Sequence, residues 1–204
     1  MSLREVQRIQ ERFEYTFREG LTPWKEHGLE PEIPAFANAL LRETREPHVL
    51  DIGCGSGWVS LYFGSRGIQV VGIDSSVTAI DEATRAAHEE DLTERVHFDA
   101  GDALVLPYPA ESFDGLFDRG LFHHVPEDEY GRYLGGVTRV LKNGGLLSLH
   151  AFTKRNLPTI GHRFDAGDIV RIFGPHFVLL EYSEDPWPTS APAHLGHYLL
   201  RKRQ

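Results

Sequence analysis

Three glycines alternate with other small residues directly after an apolar run, in the sequence VLDIGCGSGW. Gly53, Gly55 and Gly57 stand where a buried strand turns into a helix, and glycine there lets the backbone approach a ligand closely. One glycine would also fit a tight turn without a ligand, but three of them behind Asp51 indicate a binding turn. The spacing is GxGxG, and not the GxGxxG of a dinucleotide site, so a pyrophosphate cradle is less well supported.

Two aspartates follow the next two predicted strands. Asp74 ends the run IQVVGID, where a carboxylate can accept two hydrogen bonds from a ribose diol. The alternative is a cap on the next helix, but Ser75 or Ser76 can fill that role, so we favour a nucleoside-containing cofactor. Asp102, in VHFDAGDA, can accept from the exocyclic amine of an adenine or stabilise a Gly-Asp turn, and the residues alone leave both open.

The histidines and the cysteine form no recognisable metal-binding pattern. His194 and His197 are three residues apart in a predicted strand, so they face opposite sides of it. His123 and His124 are adjacent and also diverge, with no acidic residue at a known ligand spacing. Cys54 is the single cysteine, which rules out a CxxC site and an intrachain disulfide. We therefore predict no metal.

Short apolar runs alternate with helical segments along most of the chain, which indicates crossover units and a parallel sheet. Ligands bind such sheets beyond the carboxyl ends of the strands, where the strand order reverses. Outside these units, an amphipathic opening helix is predicted from the helical spacing of Val6, Ile9, Phe13 and Phe17. Further helices are predicted at Ile33 to Thr44, about Glu127 to Lys142, and Asp165 to Phe173.

Composition restricts the class of protein. With 204 residues, 41% apolar and 25% charged, the chain is typical of a single globular domain. Thirty acidic residues against 21 basic ones give a net charge of -9, which argues against nucleic acid as a partner. We see no signal sequence and no apolar run long enough to span a membrane, so we expect a cytoplasmic protein without a membrane partner. The sequence has no signature of the oligomeric state.

The motifs VLDIGCGSG, VVGID, FDAGDALVLPYPAESFDGLF and RVLKNGGLL resemble, in order and spacing, those of the class I S-adenosylmethionine-dependent methyltransferases. The resemblance runs from Val49 to Phe152. It implies a three-layer, Rossmann-like α/β fold with an open sheet of seven strands, mostly parallel, with an antiparallel final strand. It also implies one domain over residues 1–204: N-terminal helices and a TPW loop covering the site (1–46), a cofactor-binding core (47–152), and a substrate loop with C-terminal strands (153–204).

The same resemblance implies S-adenosylmethionine as the cofactor and assigns residues to each part of it. The methionyl part is assigned to Asp51, Gly53, Cys54, Gly55 and Gly57, the ribose to Asp74 and Ser75, and the adenine to Asp102 and Ala103.

A narrower resemblance concerns FDRGLFHHVPEDEYGRYLGGVTRVLKNGGLL, which is similar to the thiopurine or thiol S-methyltransferase-like branch, where a DRG tripeptide follows the fourth strand. The loop with Thr22 and Trp24 resembles the TPW element of that branch, which implies that Trp24 covers the cofactor. From the residues alone, Trp24 packed on the sheet edge is the alternative. Arg119 of the tripeptide is predicted to pair with a carboxylate at the cofactor site, or equally with Asp118.

Methyl transfer from a sulfonium is an in-line displacement in which alignment and desolvation can carry most of the rate. A thiol acceptor already ionises in part near neutral pH, so a modest base suffices. His123, just past the fourth strand, is the candidate base, with Asp118 orienting a donor; packing against the next helix is the alternative for His123 or His124.

We therefore predict an enzyme that methylates a small-molecule nucleophile, with a thiol favoured. An NAD(P)-dependent oxidoreductase on the same fold and a non-catalytic S-adenosylmethionine-binding protein are the alternatives.

Overall fold

A computed structural model describes residues 3–22, 29–157, 161–187 and 193–204. Trp24 lies outside these ranges, so the predicted cover over the cofactor is not among the described residues. Seven strands form within the described ranges: β1 (His48–Ile52), β2 (Gln69–Asp74), β3 (Val96–Ala100), β4 (Phe113–Arg119), β5 (Leu141–Phe152), β6 (Phe177–Trp187) and β7 (Ala193–Lys202).

All seven strands belong to one sheet, in the order β3-β2-β1-β4-β5-β7-β6. The five strands from β3 to β5 are paired in parallel, whereas β7 is antiparallel to both β5 and β6. The predicted α/β sheet with an antiparallel final strand is therefore confirmed. The strand order reverses between β1 and β4, which places a crevice beyond the carboxyl ends of these two strands.

Helices cover the sheet, and local sequence explains where several of them begin. Ser76 caps the fourth helix by accepting from the backbone N–H of Ala79, and Asp165 forms a capping box at the sixth. In the described part of the chain, none of the helices is long and apolar enough to cross a bilayer. The helices are α1 (Leu3–Arg18), α2 (Glu32–Glu43), α3 (Trp58–Ser65), α4 (Val77–Glu89), α5 (Tyr130–Val140) and α6 (Ala166–Phe173).

The sheet is buried on both faces because apolar residues of its central strands alternate between two clusters. Val49 packs with residues of α2 and α3, whereas Leu50 packs with residues of α5 and α6. In α2 the buried positions, Ile33, Phe36, Ala37 and Leu40, recur at helical spacing and make the helix amphipathic.

The predicted helix from Glu127 to Lys142 is shorter in the structure. Residues Glu127–Glu129 form a single 3-10 turn, and α5 ends at Val140. Leu141 already belongs to β5, because it is fully buried and pairs with Phe113 of β4. The Asn-Gly-Gly sequence at residues 143–145, which follows the predicted helix, therefore lies inside β5, next to an irregularity in its pairing with β4.

Candidate active site

The carboxyl ends of the parallel strands open into one cavity of about 540 Å³. Its walls come from the glycine turn after β1, the ends of β2 and β4, the turn after β3, and α1. Most of the predicted cofactor residues line it: Asp51, Gly53, Cys54, Gly55, Asp74, Ser75, Asp102, Ala103 and Arg119.

The glycine turn brings bare backbone to the floor of this cavity. Gly55 has a φ of +54°, and a Cβ there would lie 3.2 Å from the ring of Phe17 across the cavity wall. Gly57 does not line the cavity; its φ is +79°, and a Cβ would lie 2.5 Å from the ring of Phe98. The bare backbone of Gly55 therefore lets Phe17 of α1 pack close to the turn at the cavity, whereas Gly57 allows the turn to pack against β3.

Asp74 links the end of β2 to the glycine turn. Its Oδ2 accepts from the backbone N–H of Gly55 at 2.9 Å, and its Oδ1 accepts from that of Ser76 at 2.9 Å. Burial raises the pKa of Asp74, against the lowering effect of these hydrogen bonds. Since Ser76 supplies the side-chain cap of α4, Asp74 is not needed for that role. The backbone N–H of Ser75 also donates to this carboxylate, so one of its about four lone-pair sites is left for a ribose hydroxyl.

Two more groups lie beneath the turn. Asp51 is buried and accepts from Ser60 Oγ at 2.6 Å; burial, together with the nearby charge of Asp118, raises its pKa to about 7. Cys54 is also buried, and burial raises the pKa of its thiol well above the usual value. Cys54 is therefore a small apolar wall residue and not a nucleophile.

The structure shows Asp102 in one of the two roles that its sequence leaves open and leaves one of its oxygens for the other. Its Oδ1 accepts from the backbone N–H of Leu104 at 2.8 Å, which stabilises the turn after β3. Its second oxygen makes no hydrogen bond with any described residue, and Asp102 and Ala103 both line the cavity. An exocyclic amine is a suitable partner for that oxygen.

Asp118 serves the turn after β4 and does not line the cavity. Its Oδ1 accepts from the backbone N–H groups of Leu121 and Phe122, and its Oδ2 accepts from the hydroxyl of Tyr133 at 2.6 Å. Burial raises its pKa to about 6. The geometry thus gives Asp118 a structural role and does not support the predicted role of orienting a donor.

Arg119 pairs with Glu30 and not with Asp118. Its Nη2 lies 2.5 Å from Glu30 Oε1, and its Nε lies 3.1 Å from both carboxylate oxygens. The guanidinium also stacks over the ring of Trp58 at 5.4 Å. Burial opposes ionisation of Glu30, but hydrogen bonds from His150 and Arg119 outweigh it and lower the carboxyl pKa to about 2. Arg119 is thus a fixed positive charge in the cavity wall.

His123 lines the cavity, but its geometry does not support the predicted role as a base. The backbone N–H of Phe152 donates to its Nδ1 at 3.3 Å, which places the proton of the neutral ring on Nε2. Burial lowers its pKa well below the usual value, and burial also lowers that of His124 to about 4. The ring of His123 stacks on Phe152 at 3.8 Å between centroids, so it forms an uncharged wall.

Helix α1 forms the wall opposite the glycine turn. The sequence predicted only that the N-terminal helices cover the site, without naming the residues that line the cavity. Val6, Ile9 and Phe13, which predicted an amphipathic helix, line the cavity. Glu14 fastens the helix, because its carboxylate accepts from Ser76 Oγ at 2.7 Å and from Thr78 Oγ1 at 2.6 Å.

Comparison with known proteins agrees with this geometry. Residues 49–145 match the family described as "Methyltransferase domain". Over 105 residues the chain is 35% identical to 27-O-demethylrifamycin SV methyltransferase of Amycolatopsis mediterranei (strain S699), covering 51% of this chain and 38% of that protein. Over 128 residues it is 34% identical to norajmaline N-methyltransferase of Rauvolfia serpentina, covering 62% of this chain and 43% of that protein. The chain thus spans about two fifths of the length of these relatives.

The fold has solved counterparts as well. A crystal structure of Burkholderia thailandensis 1,6-didemethyltoxoflavin-N1-methyltransferase, with 1,6-didemethyltoxoflavin and S-adenosylhomocysteine bound, superposes with a TM-score of 0.78 at 24% identity. The superposition covers 96% of this chain and 88% of that one. The fold is therefore the Rossmann-like methyltransferase fold.

Proposed function

From the premise that residues 49–145 form a methyltransferase domain of the class I, S-adenosylmethionine-dependent type, we propose that the protein transfers a methyl group from this cofactor to a small-molecule nucleophile. The observation that carries the proposal is the single cavity that joins Gly55, Asp74 and Asp102 to the apolar wall of α1.

The cofactor would lie along the carboxyl ends of β1, β2 and β3. We assign its methionyl part to Asp51 and the glycine turn, its ribose to Asp74 and Ser75, and its adenine to Asp102 and Ala103. Three features support this assignment: Gly55 brings bare backbone to the cavity, Asp74 keeps a lone-pair site for a ribose hydroxyl, and Asp102 has an oxygen that makes no hydrogen bond with a described residue. When bound, S-adenosylmethionine supplies an electrophilic methyl group on a sulfonium.

The chain contributes alignment and exclusion of water. The apolar side chains of Phe13, Leu121 and Phe152 line the cavity. A methyl acceptor bound there loses bound water, and because that water would weaken its nucleophilic atom, the loss favours methyl transfer. Because the Nδ1 lone pair of His123 already accepts from the backbone N–H of Phe152, and burial lowers the pKa of the ring, we infer that His123 does not act as the base. The acceptor must then present a lone pair that is free, or that ionises readily, near neutral pH.

The acceptor belongs to the class of small molecules, as do the substrates that the relatives' names specify. These relatives are named as an O- and an N-methyltransferase, so the thiol favoured by the sequence has no support from them. We keep a thiol as one member of the panel to be tested and propose no preference between sulfur, nitrogen and oxygen.

The test is transfer of isotopically labelled methyl from S-adenosylmethionine to a panel of small thiols, amines and phenols, followed by mass spectrometry. We expect at least one acceptor to gain a labelled methyl group, and we expect Asp74→Asn to slow the transfer. The control, Asp81→Asn on the exposed side of α4, should behave as the wild type. Tight cofactor binding without transfer to any class would favour a non-catalytic binding protein, and hydride exchange with NADH would favour an oxidoreductase.

A further inference from the structure

A buried cluster of histidine and glutamate lies beside the cavity wall and has no part in the proposed methyl transfer. His150 of β5 and His197 of β7 are directly paired across the two strands, so their side chains share one face of the sheet. Their Nδ1 atoms lie 3.1 Å apart, and Glu30 Oε2 lies 3.5 Å from His150 Nδ1. One ligand atom from each residue falls within 4.8 Å of the others. We call this set the histidine cluster.

The spacing of these atoms is that of a tetrahedral zinc site. With metal–ligand distances of about 2.0–2.1 Å, neighbouring ligand atoms in a tetrahedron lie about 3.3–3.4 Å apart. Two of the three separations, 3.1 and 3.5 Å, lie on either side of that value, and the third is within 4.8 Å. Without a metal, one of the two Nδ1 atoms carries a proton and donates it to a neighbour, whereas a metal would use the lone pairs of both nitrogens.

The outer contacts of the histidine cluster also match those of a metal site. Ser148 Oγ lies 3.0 Å from His150 Nε2, and Arg119 holds Glu30 by donating to Oε1 from Nη2 and to both carboxylate oxygens from Nε. Hydrogen bonds of this kind, from neighbouring side chains to the metal-binding side chains, orient the ligands in protein metal sites. In addition, Glu32 Oε2 is buried, 4.0 Å from His197 Nδ1, and has no hydrogen-bond partner among the described residues. An unsatisfied buried carboxylate oxygen is costly, and a bound cation would remove that cost.

We propose that the histidine cluster binds one divalent transition-metal ion of the zinc class, through His150 Nδ1, His197 Nδ1 and Glu30 Oε2, and that Glu32, which approaches only His197 in this structure, shifts its side chain to become the fourth ligand. The metal would fasten residues 30–32, at the start of α2, to β5 and β7. Through Arg119 it would also stiffen the cavity wall. The proposal departs from the sequence-based expectation of no metal, and it does not depend on methyl transfer.

The test uses the full chain after treatment with a chelator and removal of the chelator. Titration with Zn²⁺ alone should show one site of micromolar affinity or tighter, accompanied by a rise in Tm. Titration with Co²⁺ should produce the visible absorption bands of tetrahedral coordination, a readout that needs no variant. A chain that binds neither ion, or that binds Co²⁺ with an octahedral spectrum only, would overturn the proposal.

Variants locate the site. His197→Gln should weaken Zn²⁺ binding at least a hundredfold, and Glu32→Gln should weaken it at least tenfold. His194→Gln is the matched control, because His194 lies on the same strand but three residues away, on the opposite face. Circular dichroism of each metal-free variant checks folding, and should His197→Gln not fold, Glu32→Gln and the Co²⁺ spectrum decide. Unchanged zinc affinity in Glu32→Gln and in folded His197→Gln would contradict the assignment.

Discussion

Replacing Asp74 by Asn tests the proposed ribose site most sharply, because the change keeps the shape of the side chain and removes its charge. The carboxylate of Asp74 accepts the backbone N–H groups of Gly55 and Ser76 at 2.9 Å and also that of Ser75, which leaves one of its about four lone-pair sites for a ribose hydroxyl. Hydrogen bonds to a charged group are worth about 1.5–3 kcal/mol each. Losing the charge and one acceptor should cost about 3 kcal/mol, or about a hundredfold in affinity for S-adenosylhomocysteine.

The same substitution also affects the fold, and the assay must separate the two effects. The new amide group places a donor opposite the N–H of Gly55 or Ser76, which costs about 1–3 kcal/mol of stability. Removing a buried charge offsets part of this cost, since burial already raises the pKa of Asp74. Both Asp74→Asn and the exposed control Asp81→Asn should therefore be measured by calorimetric titration, which reports cofactor affinity, and by thermal unfolding, which reports stability. A folded Asp74→Asn protein with wild-type affinity would refute the ribose assignment.

Three further changes test other parts of the structure. Glu14→Ala removes the bonds that fasten α1 to α4, and should weaken binding of S-adenosylhomocysteine about tenfold by calorimetry, whereas exposed Glu11→Ala should not. Gly57→Ala combines a positive φ with a Cβ 2.5 Å from the ring of Phe98, so urea unfolding should reveal a loss of about 2–5 kcal/mol. Asp118→Asn should flatten the dependence of stability on pH, because the folded carboxyl keeps its proton up to about pH 6, whereas the unfolded one releases it near 3.8. The contribution of that carboxyl to wild-type stability is complete below about pH 4 and should fall by about 3 kcal/mol as pH rises through 6, a decline that the variant lacks.

Each of these expectations has a contrary outcome. Wild-type affinity in Glu14→Ala would mean that α1 does not close the cavity. A Gly57→Ala protein as stable as the wild type would mean that the turn after β1 can adopt another conformation. Equal slopes of stability against pH for Asp118→Asn and the wild type, between pH 4 and 6, would mean that burial does not hold the proton on Asp118.

Local sequence patterns were sufficient to predict the fold and many of the residues that line the cavity. The alternation of apolar runs and helices predicted the sheet, because each crossover unit is short and contains its own periodicity. Asp74 and Asp102 were placed correctly at the cavity because each follows a parallel strand, and such strands end at the same edge.

Contacts between distant segments could not be predicted in this way. Arg119 lies 89 residues from its partner Glu30, and nothing in either local sequence indicates the pair. The pairing of His150 with His197 depends on the register between β5 and β7, which only the folded sheet defines. The position of His123 after β4 suggested a base. Its protonation, however, depends on the backbone N–H of Phe152 in β5, which donates to Nδ1 and leaves Nε2 as a hydrogen-bond donor.

The central claim is that this cavity binds S-adenosylmethionine. Its most direct test is calorimetric titration of the wild-type chain with S-adenosylhomocysteine, with NADH titrated in parallel. We predict one site of micromolar affinity for S-adenosylhomocysteine and no heat from NADH. Binding of NADH alone, or of neither compound, would contradict the claim.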